Sequence, residues 1–273
     1  MRKFLDVAVD AARQAGTILR TEFDRPKTIS YKGEVDIVTE SDRRAEALIV
    51  SRLRAEFPEH GIVAEEGGTG AAAGARYCWH VDPLDGTTNF AHGYPCFAVS
   101  MGLLENGHPI VATVLNPYSD ELFTAIRGEG AYLNNQRIHV SPVEKLAESL
   151  VCTGFPPKHR RNSVNMSYYW EFTLRSHGVR RDGSAALDLC SVACGRFEAF
   201  WEFGLSSWDT AAGMLLVTEA GGKVTDFSGE PYQAGGRELL ATNGRIHSEM
   251  RGVITEIARD SGKSLGMRDG ACA

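Results

Sequence analysis

The chain has 273 residues, a formal net charge of −6 at pH 7 and 43% hydrophobic residues. That length supports a large buried core, and the acidic balance argues against a nucleic-acid-binding surface. No apolar run approaches the ~20 residues needed to span a bilayer, and Asp6 and Asp10 interrupt any targeting pattern at the start. Six cysteines without CxxC or zinc-type spacing favour free thiols, so we expect a soluble cytoplasmic protein.

The first part of the chain predicts two helices. Apolar residues recur at helical spacing between Phe4 and Leu19, which indicates an amphipathic first helix. Thr39 and Asp42 have the spacing of a capping box before a second helix. Asp42 could therefore have a purely structural role, or combine that role with a chemical one.

A β-rich region follows and then gives way to alternating elements. The pattern predicts strands at 61–64, 97–104, 110–115, 121–126 and 137–140, with Gly128 and Gly130 as turn residues. After Pro142 it predicts strands at 149–153, 196–201 and 223–226 and helices at 164–174, 185–193 and 208–220. This order indicates a second sheet covered by helices.

Two carboxylates three residues apart, Asp82 and Asp85, follow the apolar run from Tyr77 to Val81. We expect Pro83 to end the strand there, and Gly86 to let the backbone approach a ligand. Hard oxygen ligands of this kind suit Mg²⁺ together with substrate phosphate oxygens. The pair could also merely cap a turn.

Two further acidic residues argue against the interpretation that Asp82 and Asp85 only cap a turn. Glu65 follows the short apolar strand that ends at Ala64, and Asp209 stands in the first turn of the helix predicted from Trp208. His80 and His92 flank the Asp82 motif, but a Mg²⁺ site does not require imidazole, so we interpret both as structural. Haloacid-dehalogenase-type phosphatases also carry paired aspartates, but theirs are two residues apart, one of them being a covalent nucleophile.

These motifs together resemble the inositol monophosphatase family of Mg²⁺-dependent, lithium-sensitive phosphatases. The resemblance covers roughly residues 4 to 250, and several motifs in the right order are more specific than any one. It rests on the segments at 38–42, 64–66, 82–90, 208–209 and 219–222. It implies a homodimer with a five-layered αβαβα sandwich, the fold of the inositol monophosphatase and fructose-1,6-bisphosphatase type.

The resemblance also implies roles for individual residues around two or three Mg²⁺ ions. Asp82 would bridge two ions, with Glu65 and the Leu84 carbonyl at the first ion and Asp85 and Asp209 at the second. Glu65 would also contact a third ion. Thr87, hydrogen-bonded to Asp42, would orient or deprotonate the attacking water. The resemblance further implies that Gly86 and Thr87 contact the phosphate of the substrate. It implies that the alcohol part faces Asp85, Ala185 and Glu202. Gly183 and Ser184 would shape the loop beneath that alcohol.

We expect an α+β half at residues 1–142 with most metal ligands, an α/β half at 143–260 with Asp209 and the specificity residues, and a flexible tail at 261–273. The active site would lie between the halves. Glu202, placed just after a strand, would accept hydrogen bonds from a polyol such as inositol. Lys32 would belong to a loop that closes over the site, although a solvated lysine on a surface turn explains it equally well.

The sequence alone does not identify the physiological phosphate ester. Myo-inositol 1-phosphate is favoured because Thr88 is not the basic residue that is more frequent in relatives acting on histidinol phosphate or adenosine 3′,5′-bisphosphate. Fructose 1,6-bisphosphate is a further alternative, since fold-level analogy cannot choose one metabolite. An alternative of another class is a regulatory protein of the transcription and ribosome-assembly machinery, a role known for some bacterial members of the family.

Overall fold

A computed structural model of the chain describes residues 1–25, 29–31, 37–67, 75–155 and 163–260. Its helices are α1 Arg2–Phe23, α2 Glu40–Glu56, α3 Thr87–Ala91, α4 Asn165–Arg175, α5 Ala185–Ala193, α6 Ser207–Glu219 and α7 His247–Asp260. Its strands are β1 Ile29–Tyr31, β2 Ile37–Thr39, β3 Gly61–Ala64, β4 Tyr77–Asp85, β5 Ala98–Glu105, β6 His108–Asn116, β7 Glu121–Ile126, β8 Gly130–Leu133, β9 Gln136–Arg137, β10 Leu150–Thr153, β11 Gly178–Arg180, β12 Ala199–Phe203, β13 Lys223–Thr225 and β14 Glu238–Thr242.

The strands form two mixed sheets and a separate β1–β2 pair. The larger sheet has the order β3-β4-β5-β6-β7-β8-β9, in which β3 runs parallel to β4 and the later neighbours are antiparallel. The smaller sheet has the order β11-β10-β12-β14-β13, with β10 parallel to both of its neighbours. Each sheet therefore has two faces to cover with helices.

The hydrophobic clusters show that the fold has five layers, as predicted. One cluster joins α1 and α2 to the first face of the seven-stranded sheet. A second joins its other face, α5 and α6, and the inner face of the five-stranded sheet. A third joins the outer face of that sheet to α4 and α7. The order is thus α, β, α, β, α, and α5 and α6 form the central layer.

Several predicted boundaries were wrong. Pro83 does not end β4, because pairing with β5 resumes at Asp85 after a bulge that absorbs the missing N–H. The strand predicted at 137–140 is replaced by the hairpin β8–β9, which turns at Asn134 and Asn135, both with positive φ. Six elements were missed: β1, β2, β8, β11, β14 and α7.

Two predicted features lie outside the described residues, namely Lys32 and the tail at 261–273. Within the described residues, no helix is both long enough and apolar enough to cross a bilayer.

Candidate active site

The end of β4 carries two of the predicted carboxylates. Asp82 pairs with Ser100 of β5 and Asp85 pairs with Ala98, so β4 has one extra residue between the two pairs. Such a bulge bends a strand and re-aims its side chains. The Leu84 N–H donates to Asp82 Oδ1 at 2.9 Å, which fixes that carboxylate within the bulge.

The N-terminus of α6 adds Asp209 from the other side. Asp209 is the third helical residue of a capping box, and its Oδ2 accepts from the Ser206 N–H at 2.7 Å. Carboxylate oxygens of Asp82, Asp85 and Asp209 all lie within 4.8 Å of one another. Three of the predicted ligands, from a strand and from a helix 124 residues further along the chain, therefore meet at one point.

This cluster has an unbalanced negative charge. Asp82 and Asp85 are only 2% and 9% exposed, and neither they nor Asp209 forms an ion pair with another described residue. Burial raises the pKa of Asp82 well above its usual range, and the charges of Glu65, Asp85 and Asp209 raise it further. Burial likewise raises the pKa of Asp85 and of Asp209.

Buried carboxylates without a counter-charge are costly, and a hard divalent cation is the partner that suits an all-oxygen donor set. The residues present therefore fit a metal site. The tight set of three, drawn from the described residues, does not include Glu65. Glu65 nevertheless lies beside it, at the end of β3, where its N–H donates to the Val81 carbonyl and its charge acts on Asp82.

A carboxylate that the sequence analysis missed supports the Glu65 turn. Glu46 of α2 is 5% exposed, and its Oε2 accepts from the Glu66 N–H at 2.7 Å. A Cβ at Gly67 would lie 2.6 Å from Glu46 Oε1, so the turn passes close to this side chain. The available signal was an acidic residue on the apolar face of α2, between Ala45 and Ile49.

The predicted contact between Thr87 and Asp42 is present. Thr87 Oγ1 lies 3.1 Å from Asp42 Oδ1 and 2.9 Å from the Leu84 carbonyl oxygen. The other Asp42 oxygen, Oδ2, accepts from the Thr39 N–H and hydroxyl in the capping box of α2. Burial raises the pKa of Asp42, against the effect of these hydrogen bonds. The helix cap and the contact with Thr87 thus use different oxygens of one carboxylate.

The predicted substrate loop is joined directly to this centre. Asp85 Oδ2 accepts from the Ser184 hydroxyl at 2.5 Å and from the Ala186 N–H at 2.8 Å, at the start of α5. Gly86 precedes α3 with φ +89, and a Cβ there would lie 2.8 Å from the Cys96 carbonyl oxygen. Gly183 also has a positive φ, so glycine suits the backbone conformation at both positions.

Asn89 connects the two segments. Its Nδ2 donates to the Cys96 and Asp182 carbonyl oxygens, at 2.7 Å each. Glu202 was expected just after a strand, but it lies inside β12, paired with Leu239. It is 7% exposed, and burial followed by the charges of Asp209 and Asp85 raises its pKa well above the usual range. Glu202 thus shares the electrostatic field of the cluster.

The five-layered sandwich and the acidic cluster are features of a class of phosphoric monoester hydrolases. Within that class, residues 1–263 match the sequence model of the inositol monophosphatase family, and the chain belongs to that family.

Three similar proteins illustrate the match. The chain is 43% identical to an inositol-1-monophosphatase of Synechocystis, over 92% of this chain and 88% of the other. It is 48% identical to the Nus factor SuhB of Pseudomonas aeruginosa, over 84% of this chain and 87% of the other. The solved inositol monophosphatase of Anabaena superposes with a TM-score of 0.85 at 43% identity, covering 93% of this chain and 96% of that one.

Proposed function

We propose that the protein hydrolyses an inositol monophosphate, myo-inositol 1-phosphate, to inositol and phosphate with the help of two or three Mg²⁺ ions. The main supporting observation is a set of three carboxylates within 4.8 Å of one another, with Asp82 and Asp85 buried and Asp209 half-buried, beside the Thr87–Asp42 pair. Asp82, Asp85, Asp209, Glu65 and the Leu84 carbonyl would hold the ions. Bound there, Mg²⁺ would balance the carboxylate charges, stabilise charge on the phosphate and make water more acidic.

The remaining groups of the chain would position the reactants. Thr87, whose hydroxyl lies against Asp42 Oδ1, would orient the attacking water and pass its proton to that carboxylate. The backbone N–H groups of Gly86 and Thr87 would hold phosphate oxygens in the developing transition state. As the water oxygen bonds to phosphorus, the bond from phosphorus to the alcohol oxygen would break and that oxygen would take a proton from solvent water, so no covalent phosphoenzyme is needed.

Specificity for a polyol would come from the other side of the site. Glu202 would accept hydrogen bonds from vicinal hydroxyls, with Asp85 and Ala185 beside it. Ser184 would act indirectly, since its hydroxyl holds the Asp85 carboxylate, and Gly183 would shape the loop beneath the alcohol.

We infer that the site is assembled between two halves, residues 1–142 and 143–260. Support comes from Asp82 on the seven-stranded sheet and Asp209 on a helix of the second part.

The test is phosphate release by the purified protein with and without Mg²⁺, repeated with lithium. Substrates are inositol 1-phosphate, fructose 1,6-bisphosphate, histidinol phosphate and adenosine 3′,5′-bisphosphate. Fastest Mg²⁺-dependent, lithium-sensitive release from inositol 1-phosphate is expected. A faster reaction with another ester would keep the mechanism and change the substrate. Asp82→Asn, which removes one charge at nearly constant volume, is the inactive control.

A second candidate is a regulatory role in transcription, favoured by the 48% identity to a protein named as a Nus factor. The intact set of candidate ligands supports catalysis, and the two roles are compatible. A protein that releases phosphate from none of the esters would favour the regulatory role alone. We also propose a cytoplasmic homodimer, to be checked by light scattering.

A further inference from the structure

A hydrogen bond outside the acidic cluster joins the two elements that carry its carboxylates. His80 Nδ1 lies 2.7 Å from Ser207 Oγ, so the bond links β4 to the first residue of α6. Side chains alternate along a strand, which places His80 on the same face as Asp82. Ser207 lies two residues before Asp209 on the helix. The bond therefore runs beside the Asp82–Asp209 pair.

A close steric contact fixes the same helix one turn further on. Gly102 of β5 is the register partner of His80. A Cβ at Gly102 would lie 2.7 Å from the Ala211 Cβ, so α6 approaches the sheet there as closely as glycine allows. Asp209 is thus held between two attachment points of α6, at Ser207 and at Ala211.

The two attachments resist different movements. The contact at Gly102 limits how near the helix can come, but it gives little resistance when the first turn moves away from the sheet. Ionised carboxylates repel one another, and those of Asp82, Asp85 and Asp209 lie within 4.8 Å of one another, so their repulsion favours that separation when no cation lies between them. A directional hydrogen bond at Ser207 opposes it.

We propose that His80 is a positioning residue for the metal centre, and that its bond to Ser207 holds Asp209 opposite Asp82 before a cation binds. This inference rests on the proposed function, because it gives His80 a part in preparing that site. The imidazole acts through the fixed direction of its hydrogen bond, so its role does not depend on carrying charge.

The test compares Mg²⁺ affinity in wild type, Ser207→Ala and His80→Phe by isothermal titration calorimetry. Groups that orient metal ligands typically contribute a factor of 10 to 100 to affinity, and we expect a loss of about ten-fold for each variant. In phosphate release, the Mg²⁺ concentration for half-maximal rate should rise in parallel, while the rate at saturating Mg²⁺ falls much less. His80→Asn, whose amide group can take the place of Nδ1, should restore most of the affinity.

Thr225→Ala is the matched control. It also removes a hydroxyl bonded to an imidazole, since Thr225 Oγ1 lies 3.0 Å from His247 Nε2, but it lies on β13 in the other sheet. We expect it to lower the melting temperature without changing Mg²⁺ affinity. The double variant Ser207→Ala with His80→Phe should bind Mg²⁺ no more weakly than either single variant, because both remove one interaction.

Unchanged Mg²⁺ affinity in Ser207→Ala and His80→Phe would overturn the proposal, and so would an equal loss in Thr225→Ala. These measurements distinguish failure of the proposed role of His80 from failure of the proposed function. A wild-type protein that binds Mg²⁺ and releases phosphate, with variants that match it, refutes only the role of His80. A wild-type protein that binds no Mg²⁺ refutes both.

Discussion

Helices α2 and α6 begin with the same capping device, and both devices use an aspartate. In α2 the Thr39 N–H donates to Asp42, and in α6 the Ser206 N–H donates to Asp209. Each aspartate is the third helical residue, so each carboxylate is held against the start of its helix. The local sequence thus fixes where both carboxylates lie.

The carboxylates of Asp42 and Asp209 differ in the groups that lie next to them. Asp42 offers its second oxygen to the Thr87 hydroxyl, whereas Asp209 faces Asp82 and Asp85. A carboxylate beside a hydroxyl is suited to handling a proton, and one beside other carboxylates is suited to holding a cation. A capping box thus fixes the position of a carboxylate, and tertiary contacts determine the chemistry for which it is suited.

The largest effect should come from Asp209→Asn. Asparagine keeps an oxygen for the Ser206 N–H but removes the negative charge from the cluster. We expect kcat/KM to fall by more than about 1,000-fold, because transition-state charge stabilisation is lost. The melting temperature without Mg²⁺ should not fall, since like-charge repulsion is relieved. Turnover near the wild-type level would exclude Asp209 as a metal ligand.

Asp42→Asn should have a smaller effect of a different kind. It keeps the cap and removes the proton acceptor behind Thr87, so kcat should fall by about 100-fold, the lower end for general base catalysis. Calorimetry should find Mg²⁺ affinity close to that of wild type. If Asp42→Asn weakened Mg²⁺ binding as strongly as Asp209→Asn, the distinction between the two carboxylates would be lost.

Mg²⁺ should stabilise the protein only where the cluster is intact. At a concentration 100 times Kd, a bound ligand adds about 2.7 kcal/mol to the free energy of unfolding, which raises Tm by roughly 5 °C or more. Differential scanning fluorimetry should detect this rise in wild type and Asp42→Asn, with reversal by EDTA. Asp209→Asn should respond no more than it does to NaCl at equal ionic strength. A full response there would place the ion elsewhere.

Removal of the cap hydroxyls should have the smallest effect. Thr39→Ala and Ser206→Ala should each lower the free energy of unfolding by about 1 kcal/mol in urea titrations. Thr39→Ala should also slow turnover, because the Thr39 hydroxyl lies 2.5 Å from Asp42 Oδ2. Ser206→Ala keeps the backbone N–H that Asp209 accepts, so its turnover should stay near wild type. Equal effects on turnover would contradict this difference.

The sequence predicted those parts of the site that depend on local pattern. The capping box of Asp42, the first-turn position of Asp209 and the strand before Glu65 could all be inferred from neighbours within a few residues. The five layers were expected from the family resemblance, and the hydrophobic clusters bear them out. The functional roles of these residues stay predictions until the experiments above are done.

The remaining features depend on contacts between distant segments. Ser184 bonds Asp85 across 99 positions, and His80 bonds Ser207 across 127, so no local pattern could indicate either pair. The bulge at Pro83 was missed for another reason: a proline removes one ladder bond, and only the partner strand decides whether pairing resumes. The sequence alone cannot show the partner of His80, so it indicates only a structural role for that residue.

The Asn89 side chain links the Gly86 turn to the segment that precedes Gly183. Both of its acceptors, the Cys96 and Asp182 carbonyls, share a single nitrogen, which has only two protons to give. The segment that precedes Gly183 cannot move away from the Gly86 turn without freeing one of those protons. The two side-chain amide protons of Asn89 give separate NMR signals, and a change in these signals would therefore report opening of this loop during turnover.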